Sequence, residues 1–358
     1  MHPLCPSRGR GTGFASPQAQ RPPLGAGSHT KWATVGTQLL HKFIFDGLPV
    51  RGMIVRLTGS WQEILKRRSD AGGYPLEVTR LLGEMTAAGA LMQGSIKFNG
   101  TLILQIFGDG PVKLAVAEVQ PDLSLRATAT VTGDVAEGSS LSQLVNLNNE
   151  GRCAITLDPK DRFPGQQPYQ GVVPLFGDRH EKIENLGEVL EHYMLQSEQL
   201  DTRLILAADD QVAAGLLIQR LPVKGQGNLE GQIDLEANED QIGVNEDYKR
   251  IALLAGTLKR EELLGLDVDT ILRRLFWEEP VTRFEPLTPS FACSCSRERV
   301  GNMLRGLGTA EVEGIIAERG KVGVACEFCG AQYAFDPVDA AQLFTRPVQQ
   351  QPPSSTVQ

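Results

Sequence analysis

The chain lacks any segment that is long and apolar enough to read as a membrane-spanning helix. Its longest apolar stretches, such as residues 102–107, have the length of a strand, whereas a span needs about 20 apolar residues. The first 30 residues also lack the continuous apolar region of a secretory signal. We therefore expect no membrane partner and a reducing, cytoplasmic location, where cysteines bind metal or do redox chemistry rather than form static disulfides.

Recognisable patterns for nucleotide use or catalysis are also missing. The phosphate-binding loop G-x-x-x-x-G-K-[ST] occurs nowhere in the chain. The five histidines are scattered, and His180 and His192 are predicted to lie on a loop and a helix, where surface or helix-cap roles are expected. Asp109 stands between two glycines and is interpreted as a turn residue. We expect a protein that is not an enzyme and does not use ATP.

Charge of positive sign is in short supply. The 358 residues carry 35 Lys and Arg against 43 Asp and Glu, which gives a net charge of −8. This balance argues against general affinity for nucleic acid or an anionic membrane. Hydrophobic residues make up 41% of the chain, so a sizeable core can be buried and a metal is not needed to hold most of it together.

Residues 41–222 predict one mixed α/β core domain of the α+β class. Short β-rich runs alternate with a few amphipathic helical stretches, and Gly108-Asp-Gly110 supplies a tight turn between two of the runs. Strands are expected at 42–45, 50–57, 102–107, 113–119, 125–132, 153–157, 169–176, 202–207 and 213–221, and helices after Ser60, after Pro75 and over 184–199.

The rest of the chain predicts a helical linker and a small C-terminal domain. Composition turns polar and acidic after Pro222, and two helical patterns follow, over 246–260 and 261–277. The predicted organisation is a disordered extension at 1–40, the core at 41–222, a linker with helices at 223–289, a zinc-binding redox-switch domain at 290–345 and a disordered tail at 346–358.

Four of the six cysteines form two close pairs. Cys293-x-Cys295 is followed, after 30 intervening residues, by Cys326-x-x-Cys329 and Gly330. Four thiolates in two pairs satisfy the tetrahedral, all-sulfur preference of Zn²⁺, and iron–sulfur ligation is less favoured. The sequence therefore predicts one zinc ion held by Cys293, Cys295, Cys326 and Cys329.

The first pair is closer in sequence than a structural zinc ribbon normally has it. One intervening residue brings the two sulfurs close enough to be oxidised to each other once the metal leaves. Loss of zinc should then unfold the small metal-binding segment, because metal binding and folding are coupled there. Spacing alone leaves both a redox switch and a permanently reduced structural module open, and favours the structural module.

Several stretches resemble the 33 kDa chaperonin family, which are bacterial, redox-regulated heat-shock holdases. Phe291-Ala-Cys293-Ser-Cys295-Ser-Arg-Glu-Arg299 and Cys326-Glu-Phe-Cys329-Gly-Ala-Gln-Tyr333 look like the zinc module of that family. Further matching stretches extend the resemblance over residues 41–344: Gly108-Asp-Gly-Pro111, Tyr169-Gln-Gly-Val-Val173, Ser197-Glu-Gln-Leu200, Thr202-Arg-Leu204 and Glu261-Glu-Leu-Leu264.

The resemblance implies a redox-regulated, ATP-independent holdase. Its reduced form would be an inactive monomer with one zinc ion, and oxidation would form the disulfides Cys293–Cys295 and Cys326–Cys329. Zinc would leave, the module and linker would unfold, and the protein would dimerise and bind unfolding client proteins. These clients would later pass to ATP-dependent foldase chaperones.

One alternative function and several minor roles accompany this interpretation. A zinc ribbon that binds nucleic acid or a protein partner without switching is disfavoured for nucleic acid, because residues 291–336 hold five basic against six acidic side chains. Arg297 and Arg299 are interpreted as a solvated face or as tuners of the thiolates. Tyr333 and Phe335 are expected to form a small core beneath the zinc. The lone Cys5 and Cys153 receive no switch role, and Cys153 is expected to be a buried small hydrophobe.

Overall fold

The computed structural model describes residues 38–69, 72–163, 165–177, 179–221 and 246–345. Most of the expected extension, the polar half of the expected linker and the expected tail lie outside the described residues, so the predictions of disorder there stay predictions. The described part contains the strands β1 Leu39–Phe45, β2 Val50–Leu57, β3 Gly100–Phe107, β4 Val112–Val119, β5 Ser124–Val131, β6 Arg152–Pro159, β7 Tyr169–Pro174, β8 Thr202–Ala208, β9 Ala213–Arg220, β10 Val281–Arg283, β11 Ser290–Phe291, β12 Val322–Ala325 and β13 Gln332–Phe335.

Helices fall into a core group, a linker group and a C-terminal group. They are α1 Gly59–Ser69, α2 Leu76–Ser95, α3 Leu141–Val145, α4 Leu186–Glu198, α5 (helical residues 246–255), α6 Arg260–Gly265, α7 Val268–Phe276, α8 Arg297–Leu307, α9 Thr309–Arg319 and α10 Pro337–Thr345. None of the helices in the described ranges has the length and hydropathy to cross a membrane.

Two large sheets enclose the long helix α2. The strand orders are β10-β1-β2-β9-β8 in the five-stranded sheet and β11-β5-β4-β3-β6-β7 in the six-stranded sheet. The helix α2 is apolar on nearly all sides and joins both sheets in one hydrophobic cluster. Glycines permit the close approach: a Cβ on Gly83 would lie 2.4 Å from that of Ala208, and one on Gly215 would lie 2.7 Å from Leu91. The mixed α/β core expected from the sequence is confirmed.

The helices of the predicted linker cover the other face of the five-stranded sheet. A second hydrophobic cluster joins Phe43 and Phe45 of β1 to side chains of α5, α6 and α7. Phe276 meets Phe45 edge-to-face, with ring centroids 5.0 Å apart. The side chain of Arg56 also reaches the carbonyl oxygen of Leu263 at 3.4 Å. Through these contacts the linker helices pack firmly on the core.

Two helix predictions in this linker were wrong in extent. The helix expected over 261–277 is interrupted, because Asp267 leaves the helical conformation and its carboxylate accepts the backbone N–H of Thr270 to begin α7. The helix expected over 246–260 ends at residue 255, just before Gly256. The short helix α3 in the core was not foreseen, since five residues carry no periodicity.

The C-terminal residues build a small module with a core of its own. Helices α8, α9 and α10 and the β12–β13 hairpin surround only five buried hydrophobic side chains: Leu304, Val312, Val322, Phe335 and Ala340. Such a core is small for independent stability. The module follows directly from β11, which extends the six-stranded sheet. The predicted boundaries at 223, 290 and 346 stay predictions.

Candidate metal centre and its docking on the core

The second cysteine pair lies in the turn of the β12–β13 hairpin. The backbone N–H of Gly330 donates to the carbonyl of Cys326 at 2.8 Å, and the N–H of Cys326 donates to the carbonyl of Ala331 at 2.9 Å. Gly330 has a φ of 70°, a left-handed conformation that favours glycine. This explains why glycine follows Cys329, and the tight turn places both sulfurs on one side of the hairpin.

The first pair lies between β11 and α8, and both neighbours fix it. Strand β11 ends two residues before Cys293 and is hydrogen-bonded to the edge of the six-stranded sheet. Directly downstream, the Ser296 hydroxyl accepts the N–H of Arg299 at 3.1 Å and caps α8. The segment that contains Cys293 and Cys295 is therefore held at both ends.

The fold brings the four predicted cysteines together. Their Sγ atoms all lie within 4.8 Å of one another. Sγ of Cys293 lies 3.7 Å from that of Cys326, and Sγ of Cys295 lies 3.2 Å from that of Cys329. A tetrahedral Zn²⁺ with Zn–S bonds of about 2.3 Å separates its sulfurs by roughly 3.8 Å. The cluster thus fits a metal ion such as zinc in size and in donor chemistry.

Without a metal, the thiols differ widely in acidity. Burial raises the pKa of Cys293, but hydrogen bonds from the Cys295 backbone and the Arg126 guanidinium outweigh it and lower this pKa to about 7. Burial, assisted by hydrogen bonds with the neighbouring sulfurs, raises the pKa of Cys329 to about 12. Burial also raises the pKa of Cys326. Cys293 is therefore the most acidic of these three thiols, and a bound cation would be needed to hold the others as thiolates at neutral pH.

The positively charged side chain of Arg126, on β5, contacts the cysteine cluster. This contact was not predicted from the sequence. The Arg126 guanidinium donates to Sγ of Cys293 at 3.5 Å and stacks on the Phe328 ring at 4.1 Å from the centroid. It also forms an ion pair with Glu118 at 2.6 Å, in which the two side chains are only 17% and 15% exposed. Arg126 is 167 residues away from Cys293 in sequence, so only the fold reveals the contact.

Arg297 and Arg299, which lie near the cysteines in sequence, make their contacts within the module. Arg297 pairs with Asp339 at 2.6 Å and stacks on the Phe335 ring. Arg299 donates to the carbonyl of Ser294 at 2.9 Å. Both arginines are exposed, and of the two open interpretations these contacts favour the solvated face over tuning of the sulfurs.

The aromatic residues beneath the cluster lie where they were expected. Phe335 is 2% exposed in the module core, and Tyr333 packs against that core. The Tyr333 hydroxyl also donates to Sγ of Cys295 at 3.2 Å. The prediction of a small aromatic core beneath the site is confirmed, and Tyr333 additionally contacts the site.

The turn that carries Cys326 and Cys329 docks on the core through β5 and α1. The Thr128 hydroxyl donates to the carbonyl of Glu327 at 3.0 Å. A Cβ on Gly330 would lie 3.3 Å from the carbonyl oxygen of Arg67, so α1 abuts the turn. Arg67 also lies over the ring of Phe291, 4.7 Å from its centroid. Both cysteine pairs therefore touch the core domain.

The remaining singled-out residues lie elsewhere. Cys153 is fully buried in β6, and burial raises its pKa to about 12, which confirms its interpretation as a small hydrophobe. Cys5 lies outside the described residues. Asp109 is confirmed as a turn residue, because it lies in the connection between β3 and β4; its carboxylate also accepts the backbone N–H groups of Leu147 and Asn148 at 2.6 and 2.7 Å.

Comparison with known proteins places the chain in a family. The family model described as Hsp33 protein matches residues 38–336. The 33 kDa chaperonin of Chromobacterium violaceum is 48% identical over 305 residues, which cover 85% of this chain and 93% of that protein. The 33 kDa chaperonin of Neisseria meningitidis serogroup A is 44% identical over 305 residues, 85% of this chain and 90% of that protein.

A solved structure has the same fold. The crystal structure of the 33 kDa chaperonin (heat shock protein 33 homolog) of Thermotoga maritima aligns with a TM-score of 0.64 at 21% identity and covers 86% of this chain and 97% of that one. The match of the family model and the high coverage of the relatives agree with the resemblance found in the sequence. The chain belongs to the Hsp33 family of 33 kDa chaperonins and is a heat-shock chaperone.

Proposed function

We propose that the protein is a redox-regulated, ATP-independent holdase whose switch is the cluster of Cys293, Cys295, Cys326 and Cys329. In the reduced state the four thiolates hold one zinc ion and the chaperone is inactive. The observation that carries the proposal is the convergence of all four sulfurs within 4.8 Å of one another. This geometry serves a metal centre when the sulfurs are reduced and lets neighbouring sulfurs react when they are oxidised.

Oxidation proceeds by two thiol-to-disulfide conversions. In each, two thiolates give up two electrons and one S–S bond forms; a peroxide accepts the electrons with two protons, its O–O bond breaks, and two waters leave. The proposed pairs are Cys293–Cys295 and Cys326–Cys329, as the family resemblance implies. Each conversion removes two ligands, so zinc leaves.

Loss of the metal removes the main support of the C-terminal module. Its core has only five buried hydrophobic side chains, so the metal-binding free energy is a large share of its folding free energy. Strand β10, which pairs with β1, lies between α7 and the module, and we propose that unfolding of the module extends past β10 into the linker helices. Release of α7 would expose Phe276, which packs at 3% exposure against β1. The uncovered apolar surface would bind unfolding client proteins.

The wider behaviour follows the family resemblance. The active, oxidised form is proposed to be a homodimer in the bacterial cytoplasm, which holds clients until ATP-dependent foldase chaperones take them over. Nucleic acid is not proposed as a partner. Arg297 is paired with Asp339, and Arg305 donates to the carbonyl of Leu343 at 3.0 Å, so these cations of the module are already engaged.

The test follows zinc release and suppression of aggregation in the same samples. The full-length protein is treated with peroxide at mild heat, and zinc is followed with a chromophoric chelator while a thermally unfolding enzyme reports aggregation. We expect zinc release, two disulfides and aggregation suppression in the oxidised sample alone. The matched control is Cys153→Ser, which removes a buried thiol outside the cluster and should switch as the unaltered protein does. Zinc that stays bound under peroxide would instead identify a structural zinc module.

A further inference from the structure

The outer edge of β5 is the point where the C-terminal module covers the core. β5 would end the six-stranded sheet, but the short strand β11 lies beside it in parallel. Further along the same edge, the N–H of Ala129 is satisfied by the Tyr74 hydroxyl at 2.9 Å. An open strand edge offers a row of unpaired N–H and C=O groups, and natural proteins cover such edges. In this protein the edge is covered by β11, which lies in the same segment as the first cysteine pair.

The edge binds β11 through its backbone. The N–H of Ser290 donates to the carbonyl of Leu123, and the N–H of Ala292 donates to the carbonyl of Leu125, both at 3.1 Å. In a parallel ladder, alternate residues make these bonds, so the backbone N–H of Phe291 faces away from β5. The chain itself therefore demonstrates which ligand the edge accepts, namely an extended polypeptide segment.

A side-chain seat accompanies the backbone bonds. The ring of Phe291 packs against the main hydrophobic cluster and lies beneath the guanidinium of Arg67, at 4.7 Å from the ring centroid. A flat apolar seat of this kind accepts large hydrophobic side chains of many shapes. The combination favours a segment that is extended and carries one exposed aromatic or aliphatic residue.

We propose that oxidation turns the outer edge of β5 into a binding site for extended segments of unfolding polypeptides, which add a strand where β11 lies in the reduced state. This inference rests on the proposed function. Phe291 is two residues before Cys293, so unfolding of the module around the cysteines withdraws the support of β11. Strand addition recognises backbone groups that every unfolded protein has, and thus suits a holdase without sharp sequence preference.

The other end of the same sheet does not explain redox control. The edge strand β7 carries Tyr169 and Val172 at 50% and 52% exposure in the reduced arrangement. A ligand that used β7 would bind the protein before and after oxidation. A ligand of the β5 edge must compete with β11 and should bind the oxidised protein alone.

The experiment uses a fluorescent, end-blocked peptide with the sequence of residues 287–292, Leu-Thr-Pro-Ser-Phe-Ala, and the full-length protein in both redox states. Two analogues differ only in the position of one backbone N-methyl group, at Ala292 or at Phe291. We expect binding to the oxidised protein, a loss of about tenfold for the Ala292 analogue and a change of less than about threefold for the Phe291 analogue. The unmodified peptide should also compete with an aggregating client.

The outcomes separate this inference from the proposed function. Equal weakening by the two N-methyl groups, equal binding to reduced and oxidised protein, or no binding overturns the role of the β5 edge. If the oxidised protein still suppresses aggregation in those samples, the holdase function stands without it. If the oxidised protein suppresses no aggregation, the proposed function fails and the inference fails with it.

Discussion

Arg126 contacts the cysteine cluster from the core, and its replacement by Gln tests whether this contact supports metal binding. The guanidinium contacts both cysteine segments, through Sγ of Cys293 and the ring of Phe328. Its ion pair with Glu118 joins two strands of the core and involves no residue of the module. The variant therefore removes from docking one partly buried cation–π contact and one contact to sulfur, together about 1–2 kcal/mol.

This loss should appear in the zinc affinity of the reduced protein. In the proposed function the module folds with its metal, so the free energy of docking adds to the free energy of zinc binding. We expect Arg126→Gln to raise the Kd for zinc by about tenfold and to speed peroxide-induced zinc release. Competition with a chromophoric chelator under reducing conditions gives the Kd.

The controls decide whether docking is the cause. Arg152→Gln removes another arginine that stacks on an aromatic ring, Phe107 at 5.2 Å, in the same sheet but on β6, which β4 and β3 separate from β5. Phe328→Ala, alone and combined with Arg126→Gln, closes a double-mutant cycle in which the two losses should fall short of additive. A Kd for Arg126→Gln within about twofold of the unaltered protein, or an equal effect of Arg152→Gln, refutes the coupling.

Three further predictions test the site and the core. Cys326→Ser should lower zinc affinity and loosen the module even under reducing conditions, whereas Cys153→Ser should not; unchanged zinc stoichiometry and affinity would refute the ligand assignment. Burial raises the pKa of Glu84 to about 7, so its ionisation lowers stability as pH rises from about 4.5 to 7. Glu84→Gln should thus gain 1–3 kcal/mol, as an order of magnitude, at pH 8 and little at pH 4.5 in thermal unfolding, and an equal gain at both pH values would contradict this. Asp109→Ala should cost about 1–2 kcal/mol, because its carboxylate accepts backbone N–H groups of the loop 147–150; an unchanged midpoint in urea would exclude that role.

Periodicity and local chemistry account for the parts of the fold that could be predicted. The helix after Pro75 has an apolar repeat with a period of 3.6, and runs such as 102–107 are rich in β-forming residues; both elements form as expected. The cysteine cluster could be predicted because two close pairs of cysteines in the sequence are typical ligands of a zinc ion. The interruption before Asp267 shows the limit of such patterns, because the Asp267 side chain caps and begins a new helix although the apolar repeat continues across the break.

Contacts that depend on the tertiary fold could not be predicted. Arg126 stands on a strand of ordinary composition, and only the order of strands in the sheet brings it to Cys293. Strand β11 has two residues, too few for any periodicity, yet it decides where the module meets the core. The nearby Arg297 and Arg299 were the natural candidates by sequence distance, but both are engaged within the module.

The placement of the cysteines relative to the docking contacts bears directly on the proposed switch. The first pair follows β11 after one residue, and the second pair encloses Phe328, on which Arg126 stacks. Oxidation of either cysteine pair would therefore directly disturb an adjacent contact between the module and the core, because no helix or strand separates the two. The hydrophobic core of the module is too small to keep the module folded once these contacts are lost. Because ligands and docking contacts share the same two short segments, loss of the metal and loss of docking are expected to occur as one cooperative step.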